Sequence, residues 1–269
     1  MSNKFIIFGQ ERSGTTSLIS ALNRNNNVVH EPLSSLSGDI CGNEKFNLII
    51  KDMNMLPDKM ERSKHIPYFN KYNDFSMDYN LLSKYLDKIF DIFDGVKHIW
   101  CTVAEAGNEN LINYCKKNKI KILFQYRMSL FDPAVSWQLG SQTNVWQLGE
   151  NLENKNKVDN FKFLPLKEHQ IKKRMIWYEN MLNSYRLLIG DDNSINVSYE
   201  ALFDENFEFR VGYFQNICTF LGINNLDKEN VENFIFNKNR KVYTKKHYSE
   251  IENYDEMYNK YGNKIINLK

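Results

Sequence analysis

FIIFGQERSGTTSLISAL, residues 5–22, contains three consecutive elements. Its first four residues are apolar and have the length of a buried strand. Gly9 and Gly14 then bound a short polar loop, and from Thr15 onwards apolar residues recur at helical spacing. A strand that leads through such a loop into a helix directs backbone N–H groups, and the positive end of the helix dipole, at one point. The stretch therefore predicts an anion-binding loop.

The loop has the spacing of the phosphate-binding pattern G-x-x-x-x-G-K-[ST], but Thr15 stands where that pattern has its lysine. In loops that bind nucleoside triphosphates, the lysine contacts the β- and γ-phosphates and the next hydroxyl, here that of Thr16, holds Mg²⁺. Its absence favours a phosphorylated nucleotide other than ATP or GTP. Arg12, inside the loop, can supply the positive charge instead. A glycine-containing turn without a ligand is the alternative interpretation.

Residues 12–18, RSGTTSL, resemble the R/K-S-G-T-T-x-L loop of sulfotransferases. In that family the loop binds the 5′-phosphosulfate of 3′-phosphoadenosine 5′-phosphosulfate (PAPS), and the nucleotide product is adenosine 3′,5′-bisphosphate. The resemblance implies a P-loop NTPase-like sulfotransferase fold and a reaction that requires no metal. The nucleotide-binding residues that it implies in the loop are Arg12, Ser13, Gly14, Thr15, Thr16 and Ser17.

Short apolar runs alternate with helix-length amphipathic segments in the first half of the chain. The predicted strands span residues 4–9, 46–51, 96–102, 120–126 and 195–199. The predicted helices span 15–23, 78–93, 104–117, 209–221 and 228–236. Strands separated by helical crossovers favour an α/β fold with a parallel sheet flanked by helices, here with a mostly helical C-terminal half. We expect residues 1–269 to form a single domain.

The second half contains one long helical pattern with a single apolar face. The residues of that face recur at steps of three and four: Ile171, Met175, Tyr178, Leu182, Tyr185 and Ile189. Gly190 is expected to end this helix. The segment 150–161, rich in lysine and asparagine, is interpreted as a flexible excursion.

A second candidate anion site follows the strand predicted at 120–126. Arg127 ends that strand, and Ser136 follows near the expected start of a helix. A guanidinium binds phosphate through two parallel hydrogen bonds, and a hydroxyl can complete the site. The segment resembles the sulfotransferase pair of an arginine and a serine that holds the 3′-phosphate of PAPS. Its nine-residue spacing is more similar to bacterial trehalose 2-sulfotransferase-like enzymes, and a structural ion pair of Arg127 is the alternative.

Glu31, in the run His30-Glu31-Pro32-Leu33, is the candidate general base. It follows a short strand after the loop helix, so it should emerge at the same sheet edge as the loop. The run resembles a segment of carbohydrate sulfotransferases that contains a catalytic glutamate, and His30 is the competing base.

Lys51 ends a predicted strand that resembles the sulfotransferase strand whose lysine lies beside the sulfuryl group. Arg12 and Lys51 are then the residues expected to stabilise negative charge, although a surface role for Lys51 stays open.

The composition gives no indication of a nucleic-acid partner, because the net charge is only +2 and 25% of residues are charged. No apolar run approaches about 20 residues, so neither a membrane span nor a signal peptide is expected. Four cysteines without metal or disulfide spacing suit a reducing cytosol, and we expect a cytoplasmic protein. Aromatic residues reach 14% and can provide rings for sugar stacking or adenine packing. The oligomeric state is left open.

Together these features predict a PAPS-dependent sulfotransferase that acts on a hydroxyl by in-line transfer. The resemblance implies a carbohydrate or glycolipid acceptor, and the residues alone leave a phenol or steroid open. A small-metabolite kinase is one alternative; it would need a lysine at position 15 and a Mg²⁺-binding aspartate, for which Asp52 is a candidate. A non-catalytic nucleotide-binding protein is the other.

Overall fold

A five-stranded parallel sheet forms the centre of the chain, in the order β2-β3-β1-β4-β5. The computed structural model describes residues 4–23, 27–33, 78–146, 152–223, 235, 242–266 and 268. The strands are β1 (Phe5–Gly9), β2 (Val28–His30), β3 (Gly95–Ile99), β4 (Lys121–Tyr126) and β5 (Ser194–Ser198). Because all five strands are parallel, their carboxyl ends lie at one edge. The loop after β1 and the residues after β2, β3 and β4 therefore meet there.

Helices cover both faces of the sheet. They are α1 (Thr15–Leu22), α2 (Tyr79–Ile92), α3 (Glu105–Lys117), α4 (Phe131–Thr143), α5 (Leu152–Asp159), α6 (Glu168–Ile189), α7 (Tyr199–Leu202), α8 (Phe207–Leu221), α9 (Lys245–Ser249) and α10 (Tyr254–Tyr261). Strand β1 is buried on both faces, and its side chains alternate between two cores. Ile6 and Phe8 pack with α2, α3, α4 and α6, whereas Phe5 and Ile7 pack with α1 and α8. The predicted α/β fold, with a parallel sheet between helices and a helical C-terminal half, is confirmed.

Helix α6 buries the face that its sequence predicted. All six residues of that face, from Ile171 to Ile189, are buried, and Gly190 ends the helix with a φ of 68°. The helix packs on α3, α4 and β4 and so connects the edge of the sheet to the helical half of the chain. Its N-terminal half carries residues that reach the loop after β1, as described below.

Two local predictions were wrong. The strand expected over 96–102 ends at Ile99, because the Thr102 hydroxyl donates to the Ile99 carbonyl at 2.7 Å and closes a 3-10 turn over Trp100–Thr102. The excursion expected over 150–161 contains helix α5. Val158 of this helix is buried, and Asp159 Oδ1 lies 3.0 Å from His247 Nε2, so contacts distant in sequence order this segment.

Some predicted features lie outside the described residues: the strand over 46–51 with Lys51, Asp52, and all of the helix over 228–236 except Ile235. Within the described part of the chain, no helix is long and apolar enough to cross a membrane.

Candidate active site

The loop between β1 and α1 is held in a conformation that few residues tolerate. Gly14 has a φ of 79°, and a Cβ atom there would lie 2.6 Å from the Phe203 ring, so both the backbone and the packing require glycine. Arg12 also has a positive φ, of 63°. Within the loop the Ser13 hydroxyl donates to the Gln10 carbonyl at 2.6 Å, and Gln125 Nε2 donates to the Ser13 carbonyl at 2.7 Å. This arrangement fixes the loop at the N-terminus of α1.

The hydroxyl residues at the start of α1 have different surroundings. The Thr15 side chain is buried, and a Cβ atom at Gly9 would lie only 2.2 Å from its methyl carbon. Thr15 therefore packs against the strand and offers a ligand its backbone N–H, whereas Thr16 is exposed and Ser17 is half-buried. The side chain that fills the lysine position of the phosphate-loop pattern thus contributes packing.

Glu31 lies at the same edge as the loop, as predicted, and it is paired with a lysine that the sequence analysis missed. Lys97 Nζ lies 2.6 Å from Glu31 Oε1 and donates to Thr16 Oγ1 at 2.9 Å. Both charged groups are buried, with Glu31 7% and Lys97 2% exposed. Buried charges are expensive unless they are paired, so the ammonium and the carboxylate hold each other in place.

Strand pairing explains why this pair forms. His30 on β2 is in register with Lys97 on β3, and the Glu31 N–H donates to the Lys97 carbonyl at 2.7 Å. Glu31 has a φ of 48°, an unusual value for a residue with a side chain. Strained backbone of this kind costs about 1–3 kcal/mol and concentrates at functional sites. Glu31 therefore occupies a position that the surrounding structure enforces.

Lys97 supplies the positive charge that the loop lacks at position 15. It reaches the loop from the neighbouring strand and bonds to the hydroxyl of Thr16, so its charge lies at the mouth of the anion-binding loop. The sequence contained one signal for it. Lys97 is a charged residue within an apolar segment predicted to be a buried strand, where an unpaired lysine would be costly.

His30, the competing base, is a weaker candidate in this structure. Burial, followed by the nearby charge of Lys97, lowers the pKa of His30 from 6.5 to about 4. A histidine with that pKa is neutral at pH 7 and binds a proton poorly. Glu31 has the direct contact with Lys97 and, through it, with the loop.

Arg12 is turned towards the helices of the second half. Its Nε donates to Ser136 Oγ at 2.8 Å, its Nη1 donates to the Trp146 carbonyl, and its guanidinium lies 5.9 Å from the ring centre of Tyr243. Burial lowers the pKa of Arg12, but an arginine side chain keeps its charge in proteins. Ser136, expected near a helix start beside Arg127, is instead the sixth residue of α4 and accepts from Arg12.

Arg127 begins the segment after β4, as predicted, and is surrounded by protein groups. Its Nη2 lies 3.1 Å from Asp132 Oδ2, its Nε lies 3.9 Å from Glu200 Oε1, and its guanidinium stacks 4.2 Å from the Tyr199 ring centre. The Arg127 N–H donates to Gln10 Oε1 at 3.0 Å, which ties it to the loop. The ion pair considered as the alternative is present, with carboxylates that are each 35% exposed.

Comparison with known proteins identifies one similar structure. A crystal structure of a sulfotransferase from Alicyclobacillus acidocaldarius is similar over 86% of this chain and 88% of its own, with 15% sequence identity and a TM-score of 0.43. No family model matches the chain, and no curated protein matches it.

The described residues contain no group of three or more histidine, cysteine, aspartate or glutamate side chains that could hold a metal ion. The arrangement combines an anion-binding loop, a buried ammonium and a carboxylate on adjacent strands. It can bind a phosphate-like group and accept a proton beside it.

Proposed function

We propose that this chain is a PAPS-dependent sulfotransferase that transfers a sulfuryl group to a hydroxyl of a carbohydrate or glycolipid and releases adenosine 3′,5′-bisphosphate. The observation that carries this proposal is the bridge from Glu31 through Lys97 to Thr16. It brings a proton acceptor and a buried positive charge to a loop whose sequence resembles that of sulfotransferases. The single domain over 1–269 and the cytoplasmic location stay predictions.

The residues at the edge of the sheet fit a donor with a phosphosulfate group. The N–H groups at the start of α1, the exposed Thr16 hydroxyl and Lys97 would hold its 5′ end, and Arg127 would hold its 3′-phosphate after exchanging a carboxylate partner for the phosphate. Arg12 and Ser136 would bind the nucleotide beside the loop. For Lys51 we keep the role proposed from the sequence, which is to stabilise negative charge. PAPS supplies the sulfuryl group when bound.

Glu31 acts as the general base in this proposal. Its carboxylate takes the proton of the acceptor hydroxyl while the oxygen forms its bond to sulfur and the bond from sulfur to the phosphate oxygen breaks. Lys97 and the loop N–H groups stabilise the negative charge that develops on the leaving phosphate. Because Lys97 contacts Glu31 and Thr16 at once, the base and the leaving-group side share one positioning residue.

The first test is calorimetric titration with adenosine 3′,5′-bisphosphate, adenosine 5′-phosphate and ATP with Mg²⁺. We expect tight binding of the bisphosphate and much weaker binding of the other two, because only the bisphosphate carries the 3′ group for Arg127. A preference for ATP with Mg²⁺ would make the protein a kinase and overturn the proposal.

Glu31→Gln tests the base. The amide oxygen can still accept from Lys97, but the loss of the counter-charge should lower the free energy of unfolding. A bisphosphate Kd within about three-fold of the unmodified protein shows that the site is still folded, while turnover should fall by about 10²–10⁴-fold. Release of bisphosphate from PAPS measures turnover, and Glu168→Gln at the exposed end of α6 is the matched control. Retained turnover in Glu31→Gln would show that Glu31 is not the base. If the unmodified protein binds the bisphosphate but does not turn over PAPS with any hydroxyl acceptor, the non-catalytic alternative is favoured.

A further inference from the structure

The sheet order places two different sets of residues on the two sides of the loop. Strand β4, which leads to Arg127, lies on one side of β1, and β5 lies beyond it. Strand β3 lies on the other side, and β2, which leads to Glu31, lies beyond it. Residues that follow β3 are therefore on the side of the proposed base, opposite the proposed 3′-phosphate site.

Three tryptophans lie close together, and one of them, Trp100, directly follows β3. The chain has four tryptophans, and three of them lie close to Arg174 or to another tryptophan. Trp100, directly after β3, lies 4.9 Å from Trp177 of α6 between ring centres. The Arg174 guanidinium lies between two indoles, 4.3 Å from the ring centre of Trp177 and 4.7 Å from that of Trp137 of α4. We name Trp100, Trp137, Arg174 and Trp177 the tryptophan cluster.

The cluster contains two buried donors without an acceptor. Among the described residues, neither Trp100 Nε1 nor Arg174 Nε has a hydrogen-bond partner, although Trp100 is only 1% exposed. Buried donors are nearly always satisfied in native proteins, by protein, water or ligand. The Arg174 side chain is 20% exposed, and Trp137 and Trp177 are half-buried, so this part of the cluster is open to solvent, whereas Trp100 is enclosed.

Glu11 connects the cluster to the loop and towards the base. It lies in the loop, its Oε1 accepts from Arg174 and, at 2.8 Å, from the Tyr178 hydroxyl, and its Oε2 lies 3.5 Å from Cys101 Sγ. Burial, followed by the negative charge of Glu31, raises the pKa of the Cys101 thiol to about 12. Because Glu11 lies in the loop between β1 and α1, its contacts with Arg174 and Cys101 place the cluster next to that loop.

We propose that the tryptophan cluster and Glu11 form the acceptor subsite and that the acceptor is a polyhydroxylated ring, as in a saccharide. The inference rests on the proposed sulfotransferase function. Indole faces pack against the flat C–H face of a sugar ring, and the Arg174 guanidinium and the Glu11 carboxylate match hydroxyl groups at its rim. A phenol carries one hydroxyl and could match only one of these polar groups, so it would gain less from them than a ring with several hydroxyls.

Binding and turnover of Trp177→Leu and Arg174→Lys test this subsite. Arg174→Lys keeps the charge but loses the planar stack between the indoles. The control is Ile176→Ala, because Ile176 is adjacent on α6 and 60% exposed. The probes are glucose, N-acetylglucosamine, trehalose and 4-nitrophenol, titrated by tryptophan fluorescence with adenosine 3′,5′-bisphosphate present and then tested as acceptors with PAPS.

We expect at least one saccharide to change the fluorescence of the unmodified protein and of the control alike. In Trp177→Leu and Arg174→Lys its Kd and KM should rise by about ten-fold or more, while the bisphosphate Kd stays within about two-fold. An equal loss of bisphosphate affinity would assign the cluster to the nucleotide. Binding of 4-nitrophenol alone, binding of no probe, or unchanged saccharide affinity in both variants would overturn the subsite. Failure of the unmodified protein to bind bisphosphate would instead overturn the proposed function.

Discussion

The charged residues on the two sides of the loop differ in how deeply they and their partners are buried. On the β3 side, Lys97 and Glu31 are 2% and 7% exposed and lie 2.6 Å apart. On the β4 side, Arg127 contacts Asp132 and Glu200, whose side chains are each 35% exposed. A buried pair cannot exchange its partner without a large desolvation cost, whereas a partly exposed arginine can replace a carboxylate by a phosphate. The first side therefore keeps a fixed geometry, and the second fits the proposed exchange of a carboxylate for a 3′-phosphate.

The largest expected effect follows from breaking the buried pair. Lys97→Met leaves the Glu31 carboxylate buried without a partner, and we expect the free energy of unfolding to fall by about 3–5 kcal/mol in urea titrations. The double variant Lys97→Met with Glu31→Leu should recover most of this loss, because it leaves no unpaired charge. Lys172→Met, at an exposed position of α6, is the control. A loss as small as that of the control would mean that the pair is solvated.

The second-largest expected effect is a loss of stability in acid, which arises from buried histidines on β2 and β3. Burial lowers the pKa of His98 on β3 to about 4, and the pKa of His30 on β2 is also about 4. Because the unfolded chain binds these protons near pH 6.5, stability is complete above that pH and falls as the pH drops towards 4. We expect His98 alone to account for about 3 kcal/mol at pH 4.

Urea unfolding at pH 7, 5.5 and 4 measures this loss. The free energy of unfolding should change little above pH 7. A stability that is level from pH 7 to pH 4 would contradict buried neutral histidines beside β2 and β3.

The smallest of the three expected effects concerns Arg127, on the β4 side of the loop. Arg127→Ala should weaken adenosine 3′,5′-bisphosphate by about 10–100-fold and leave adenosine 5′-phosphate within about two-fold, because only the first ligand loses a charge-assisted contact. Asp132→Asn removes a competing carboxylate and should bind bisphosphate at least as tightly as the unmodified protein. Calorimetry measures all four affinities. Equal losses for both ligands in Arg127→Ala would show that Arg127 supports the fold of the site instead of binding the 3′-phosphate.

Prediction from sequence worked best where the pattern is local. The apolar spacing of α6 identified every residue of its buried face, and the run 5–22 placed β1, the loop and α1. It failed where contacts distant in sequence decide the structure. Helix α5 depends on Val158 and on the contact of Asp159 with His247, and no local pattern contains either.

The candidate site shows the same division. Glu31 was placed at the edge of the sheet because a strand after the loop helix must return there in a parallel sheet. Its partner Lys97 is 66 residues away in sequence, and the partner of Ser136 proved to be Arg12, 124 residues away. Sequence spacing grouped Ser136 with Arg127 as a predicted phosphate site, and it could not show the contact with Arg12, because that contact joins residues far apart in the chain.

The sequence alone therefore determined the parallel α/β architecture, the loop between β1 and α1 and the position of Glu31 beside it, since these follow from local periodicity and from the two glycines that bound the loop. Only the tertiary structure decided which groups face that loop: Lys97 beside Glu31, Arg12 on Ser136, and the tryptophan cluster beside Glu11. The physical reason is that charge pairing and aromatic stacking depend on distances in space, which strand register and helix packing set and which the order of residues does not contain.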